Sequence, residues 1–588
     1  MFYADTQARA AQAESTFAER RARRIDEKTQ GYTYDYKTDI YGEDAALNLW
    51  ANRNLAAANE RLRNTALWFD QPHPHGRDPR GESTFAALGM AGALYHAPDR
   101  LEPETKRLID RFFLEKNFES MYESENHRLL HHTALYLAAM FYADKTIAYL
   151  GRRGGELLDE EEDYLKNYIL YRAGAGWGEF DSYGYMPVVF KCLLLLRSFA
   201  RDERLRKLAV MMLDILLLDV IMDSVGVQYG GAHGRIYPPS ALNAIHGGTL
   251  SGYYFGGARE EECDCPPCDC MMSDYRPGHA LYELAVGRNM AYVNKESKHL
   301  HCIPQAVLEG RISKYTYVTP RYIIGAINRQ DPYPEDSAQE WYAHHEQHEM
   351  DAMIVGEPRA KVFTHHPGDF KEHNQWTGDL HCRCVQTFCD KNVILATYDI
   401  HDHGALTNSH VQTGAHQYFY INAYMNRDVM ERVEERGGWM FAAYGGVYIA
   451  LYGSSGFHWI AEADRSVQRV APMLPDNDRY ELVSDGKKHG VVIEISDAED
   501  SLEQFIERIL SNPVSFDPET MRLAYTSGGR TVEMQGMARA VNGVSPAFPY
   551  KLFDSPYAQS ETGSRVVRVA GASGTLVYDF NKAEIIAE

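Results

Sequence analysis

The chain has 588 residues, with 60 Lys and Arg against 82 Asp and Glu, for a net charge of −22. With 45% hydrophobic and 24% charged residues it has the make-up of a globular chain of about two to four domains, which excludes the long disordered and collagenous classes. So acidic a chain carries no general basic field for phosphate, which also excludes a generic nucleic-acid binder.

No stretch reaches the ~18–20 uncharged apolar residues that span a bilayer. The richest, Leu205 to Val225, is interrupted by Arg206, Lys207, Asp214, Asp219 and Asp223 and reads as a buried helix. The first residues, MFYADTQARAAQAESTFAERRARR, lack the apolar segment of a secretory signal. The expectation is a cytoplasmic protein with no membrane partner, or one whose leader has been removed. Nine cysteines, an odd number, lean towards a reducing compartment.

In chain order, the first half is helical in texture. Ser83 to Tyr95, Pro103 to Glu115, His127 to Ala143, Glu160 to Arg172, Pro187 to Ala200 and Arg201 to Ser224 carry apolar residues at i, i+3, i+4 spacing. Two glycine-rich loops, GAGWGEFDSYGY (174–185) and GVQYGGAHGRIYP (226–238), interrupt the helices and are long enough to carry function. After about residue 315 the texture changes to β-branched and aromatic runs bounded by Gly, Asn and Asp, among them TPRYIIGAI, AKVFTHHPG, NVILATYDI, GWMFAAYGGVYIALYG and HGVVIEI. SGGRT and GASGT read as hairpin turns, and Ser501 to Leu510 as one short helix. Helices first and strands afterwards predict an α+β chain of two segregated domains, residues 1–312 and 313–588.

Three constellations could carry chemistry. Ser124-Glu125-Asn126-His127 opens a helix; capping explains one or two of these side chains, not four followed by Arg128, His131 and His132. The loop Trp177 to Tyr185 offers Glu179, Asp181, Tyr183 and Tyr185 between glycines, and nearby His233-Gly234-Arg235 could clamp a carboxylate. In the strand half, His365-His366 precede NQWTGD (374–379), with His401, His403 and His410 further on. HHEQHEM (344–350) lacks the order and spacing of a zinc-protease HExxH. Apart from these, Cys263, Cys265, Cys268 and Cys270 fall within eight residues and could bind a structural zinc, though C-x-C-x₂-C-x-C is not the usual knuckle spacing. A catalytic thiol has no evident histidine partner.

The order of these parts resembles the polysaccharide lyases built from a helical toroid and a β-sandwich, the heparinase II/III-like and exo-alginate-lyase-like proteins. The residues that carry the resemblance are Asn126-His127 and Tyr183, 57 positions apart from Asn126, with His365-His366 and NQWTGD on the sandwich side. The CDCPPCDC insertion and the missing signal depart from that pattern. The resemblance implies an N-terminal (α/α) toroid, a C-terminal antiparallel β-sandwich, and a site in the cleft between them. It implies β-elimination on a 4-linked uronate glycan with no cofactor needed for catalysis. Asn126 with His366 or Arg235 would neutralise the uronate carboxylate, and Tyr183 would be the acid and also a candidate base, with His127 the other candidate. Glu125 would orient His127, while Trp177 and Trp376 would be sugar platforms and Tyr185 and His233 would line the cleft.

Other readings stay open at this level. A glycoside hydrolase would use Glu125 with Glu179 or Asp181, and the acidic net charge, which repels polyanions, leans that way. A uronate C5-epimerase shares the proton abstraction. A non-catalytic carbohydrate-binding protein would have no turnover at all.

Overall fold

The computed structural model describes residues 1–33, 41–70, 80–119, 124–299, 311–330, 348–366, 384–400, 419–460 and 479–588. The predicted helices form: Pro103–Glu115 has its proline at the first turn, where a missing N–H costs nothing, and Glu125–Phe141, Gly154–Ala175, Tyr185–Phe199 and Glu203–Met222 follow. Their apolar stripes bury a single large core.

The helices close into a ring. Glu43–Trp50 packs on Arg80–His96, that on Glu125–Phe141, then Tyr185–Phe199, Glu203–Met222 and His279–Gly287 in turn. The amino-terminal helix Thr6–Ser15 completes the circuit against His279–Gly287, and Phe17–Thr29 bridges Thr249–Phe255 to Glu43–Trp50. Arg20 fastens this closure. Its buried guanidinium donates to the carbonyls of Tyr253 at 3.1 Å, Tyr254 at 2.7 Å and Ala13 at 2.8 Å, so the last carbonyls of one helix are satisfied by a side chain from another.

Apart from two short two-stranded hairpins among the described residues of the helical half, the strands begin at Tyr292, earlier than the change of texture near residue 315, because Tyr292–His299 (YVNKESKH) is polar in sequence yet mostly buried. It belongs to a 13-stranded antiparallel sheet. That sheet runs from His458–Trp459 through Tyr322–Gln330, Arg311–Val318 and Tyr292–His299 to the chain's last strand, Glu584–Ala587. A six-stranded antiparallel sheet, Val385–Asp390 to Arg432–Arg436, faces it across one core. The sandwich carries a third layer that the strand texture did not foretell. Leu502–Ser511 and the four-stranded sheet Val514–Asp517 to Ala538–Val541 cover the outer face of the six-stranded sheet over a separate core. The SGGRT hairpin joins Arg522–Ser527 to Arg530–Gln535, with Gly528 and Gly529 at φ +57° and +75° as a primed turn requires.

The carboxyl-terminal strands extend the large sheet and pack on the helices. Tyr557, Val567, Val569 and Tyr578 lie in the helical core, and Tyr578 donates to Asp214 at 2.9 Å. Two textures in sequence therefore become two interlocked halves.

Candidate active site

The site grows from three segments: the start of helix Glu125–Phe141, the loop 176–184 and the loop 226–237. Glu125 is fully buried. It pairs with Arg172 and accepts the backbone N–H of Gly178 at 2.9 Å and of Glu179 at 2.6 Å. In return Glu179, also fully buried, accepts the Asn126 backbone N–H at 3.1 Å and the Asn126 Nδ2 at 2.8 Å on both oxygens. Two consecutive residues of the helix start thus clasp Gly178-Glu179 of the loop from both sides of the exchange. Burial raises Glu125 to about 7 against the pull of Arg172.

Arg235 joins this knot by donating to Glu179 at 3.2 Å, while its guanidinium lies 4.1 Å from the centre of the Tyr185 ring. Burial works to lower Arg235, but Tyr185 and Glu179 outweigh it and raise its pKa, so it stays charged. The two loops then run side by side. Gly234 N–H donates to Phe180 O at 2.7 Å, His233 Nδ1 lies 3.1 Å from Asp181 O, and the Ser182 hydroxyl donates to Arg235 O. A Cβ at Gly234 would meet Phe180 O at 2.6 Å, so only glycine allows this approach. Tyr185 and Tyr237 share a hydrogen bond between their hydroxyls.

His233 links the loops to the strand half. Its backbone N–H donates to His348 O at 2.9 Å, and the two rings stack 5.8 Å apart. His348 packs edge-on against Phe363 and sits 3.5 Å from Asp351. Gly231, at φ +91°, lets the loop lie on Thr316 of the large sheet, where a Cβ would come within 3.0 Å of its hydroxyl.

Beneath the loops lies a fully buried ionic cluster. Lys314 pairs with Asp181 and Asp223 and lies 3.7 Å from Glu296. Lys298 meets Asp219 at 2.8 Å and Glu296 at 3.2 Å. Burial acts to raise Asp181, yet Lys298 and Lys314 outweigh it and hold that carboxylate below the usual range. Asp223 and Glu296 are pushed by burial to about 6 and about 7 against the pull of the lysines, with neighbouring carboxylates adding to the rise. Among the described residues, Asp181, Asp223 and Glu296 are the one set of three His, Cys, Asp or Glu side chains whose ligand atoms lie within 4.8 Å of one another. The Lys314 ammonium already stands among them as their cation.

Several expectations change. The four cysteines do not gather: Cys263 packs with Val227 and Ile245, while Cys268 and Cys270 sink into the helical core. As arranged they do not fit a tetrahedral zinc. Trp177 is 4% exposed, against Tyr168 and the Arg172 guanidinium, which leaves no face for a sugar. Glu125 serves the loop and not His127, whose ring sits edge-on to Phe85 with Nδ1 3.4 Å from Thr84 Oγ1. Asn126 turns its amide nitrogen onto Glu179 and not outward. His233 is fully buried and so lines no open cleft. His366 is buried just past strand Lys361–His365, and Trp376 lies outside the described residues, as do His373, His401, His403 and His410.

Four buried histidines are neutral. Burial lowers His127 to about 4 and His365 to about 3, and lowers His233 and His348 as well. None of these four is an imidazolium near neutral pH, whereas Arg235 stays charged. The phenol of Tyr183 is pushed well up by burial, then by Asp351 and Asp181, so no nearby charge draws it towards phenolate. Sequence reasoning missed Arg172, Lys314 and His348. A lysine inside the aromatic run KYTYV was the one available signal, because a buried ammonium demands buried carboxylates.

The chain is similar in structure to heparinase III, with 9% identity over 89% of this chain and 84% of that one and a TM-score of 0.43. It is also similar to heparan sulfate lyase HepC from Pedobacter heparinus, with 13% identity over 89% of this chain and 94% of that one and a TM-score of 0.24. No protein-family model and no curated protein matches the sequence. No helix among the described residues is long and apolar enough to cross a membrane.

Proposed function

We propose that the protein is a lyase that cleaves 4-linked uronate glycans by β-elimination. The observation that carries this reading is a hydrogen-bonded unit that joins Asn126, Tyr183 and Arg235 through Glu179, Asp181 and His233. The reaction removes the C5 proton, breaks the C4–O bond and leaves a C4–C5 double bond conjugated with the carboxylate. The C5 proton is weakly acidic until that carboxylate is neutralised. Arg235, held at one nitrogen by Glu179 and with an 18% exposed side chain, retains further donors for a bidentate grip. Asn126 holds Glu179, and so Arg235, in place. Tyr183 carries the proton, and neutral His127, next to Asn126 in the chain, is the second candidate base.

The hydrolase reading finds less support. Its three carboxylates are each fully buried and engaged: Glu125 with Arg172, Glu179 with Asn126 and Arg235, Asp181 with Lys314. A hydrolase needs two carboxyl groups free on opposite sides of a sugar.

The test is a screen of uronate glycans, polymers and oligosaccharides, with ultraviolet absorbance and product mass followed together. Rising absorbance with no added water in the summed product mass is elimination. Products heavier by water with no absorbance are hydrolysis and overturn the reading. Tyr183→Phe should lower turnover about 10²–10⁴-fold with the fold intact.

A further inference from the structure

The loop contacts leave one proton with two claimants. Tyr183 Oη lies 2.8 Å from the carbonyl of Tyr229 and 3.2 Å from Nε2 of His233. The other ring nitrogen, His233 Nδ1, lies 3.1 Å from the carbonyl of Asp181. A carbonyl oxygen only accepts, so the neutral imidazole carries its proton on Nδ1 and presents a lone pair at Nε2. The phenol proton therefore points inward, at two acceptors, and the phenol offers its own lone pairs in other directions. Asp181 is itself fixed: it holds φ +52° and its carboxylate is locked by Lys314. The tautomer of His233 is thus set by a backbone that the buried ionic cluster pins.

We propose that His233 is the proton store of Tyr183, a positioning residue that never touches substrate but receives and returns the proton that Tyr183 carries. The inference rests on the lyase reading above. As the C5–H bond breaks, its proton forms a new O–H bond at Tyr183, and the phenol's original proton passes to His233 Nε2. The C5–H electron pair becomes the C4–C5 double bond, and the C4–O pair leaves with the glycosidic oxygen. The store then empties: His233 Nε2 returns its proton to Tyr183, which protonates the departing oxygen. The proton has moved from C5 to O4, and both residues end as they began. Tyr183 is at no point a free phenolate. This suits its surroundings, since Asp181 and Asp351 face the phenol, while His348, Lys314, Lys361 and Asp181 surround the imidazole. A relay of this kind never leaves a free phenolate, and His233 is an imidazolium only between the two transfers, while the electron pair moves through the sugar to the departing oxygen.

The test uses the full chain and the uronate oligosaccharide that responds in the screen. His233→Gln keeps an acceptor near the Nε2 position but no basic lone pair. It should lower kcat about 10²–10⁴-fold with KM unchanged, and its residual rate should rise with pH as the phenolate becomes the base. Wild-type turnover should stay level between pH 7 and 9. A wild-type rate that climbs about tenfold per pH unit there makes phenolate the base and overturns the relay without any variant. A folded His233→Gln enzyme with wild-type kcat and pH profile overturns it as well. A wild-type protein that eliminates no uronate glycan overturns the lyase reading and the relay together, which separates that failure from the other two.

Discussion

Asp181 sits between two buried regions that handle polarity in opposite ways. On one side, Lys314 and Lys298 meet four carboxylates, and they hold Asp181 charged while burial raises Asp219, Asp223 and Glu296. On the other side, His233, His348 and His365 are made harmless by staying neutral. Counter-charge yields a rigid anchor, because removing either partner strands the other in low dielectric. Neutrality leaves a lone pair and a proton that can still exchange. The difference teaches where to look for chemistry in this molecule: the densest cluster of ionisable groups is scaffolding, and the quieter histidine and tyrosine pair beside it holds the movable proton.

The sharpest way to break this contrast is Lys314→Met. If the cluster is an anchor, stranding Asp181 and Asp223 should cost about 3–5 kcal/mol, read from urea unfolding. A loss under ~1 kcal/mol would mean that the carboxylates simply protonate and that the anchor is dispensable.

The neutral side makes a pH prediction. Burial holds His127 near 4 against an ordinary 6.5. Above pH 6.5 neither the folded nor the unfolded chain protonates it. As pH falls from 6.5 to 4, the unfolded chain binds a proton that the folded one refuses, and stability is lost up to about 3 kcal/mol. His127→Gln lacks this penalty, so the wild-type advantage over the variant should shrink by that amount between pH 7 and 4. Unfolding curves at several pH values check it, and a constant gap would place His127 in a wetter setting.

Trp177→Phe should have the smallest effect. Thinning a packed ring should cost about 1–2 kcal/mol and leave KM for a responding oligosaccharide unchanged, measured by melts and initial rates. A raised KM at unchanged stability would restore Trp177 as a sugar platform.

Much of the scaffold was legible because periodicity is local. Pro103–Glu115 could be read from its proline and its apolar stripe, and the SGGRT hairpin from two glycines suited to φ > 0. Strand Tyr292–His299 could not, since its Asn294, Glu296 and Lys298 are buried only because partners distant in sequence meet them.

The sequence by itself determined that helices precede strands, and that Asn126-His127, Tyr183 and His233-Gly234-Arg235 are set apart from their surroundings by residue type. Tertiary structure alone decided their work. It turned Asn126 onto Glu179, sank Trp177, scattered the four cysteines and faced His233 towards Tyr183. The physical reason is that residue type and spacing act over a few positions of chain. Whether a polar group is charged, spent on an internal partner or free to react depends on burial and on neighbours some 50 to 130 residues away, as Glu179 is from Asn126 and Lys314 from Asp181.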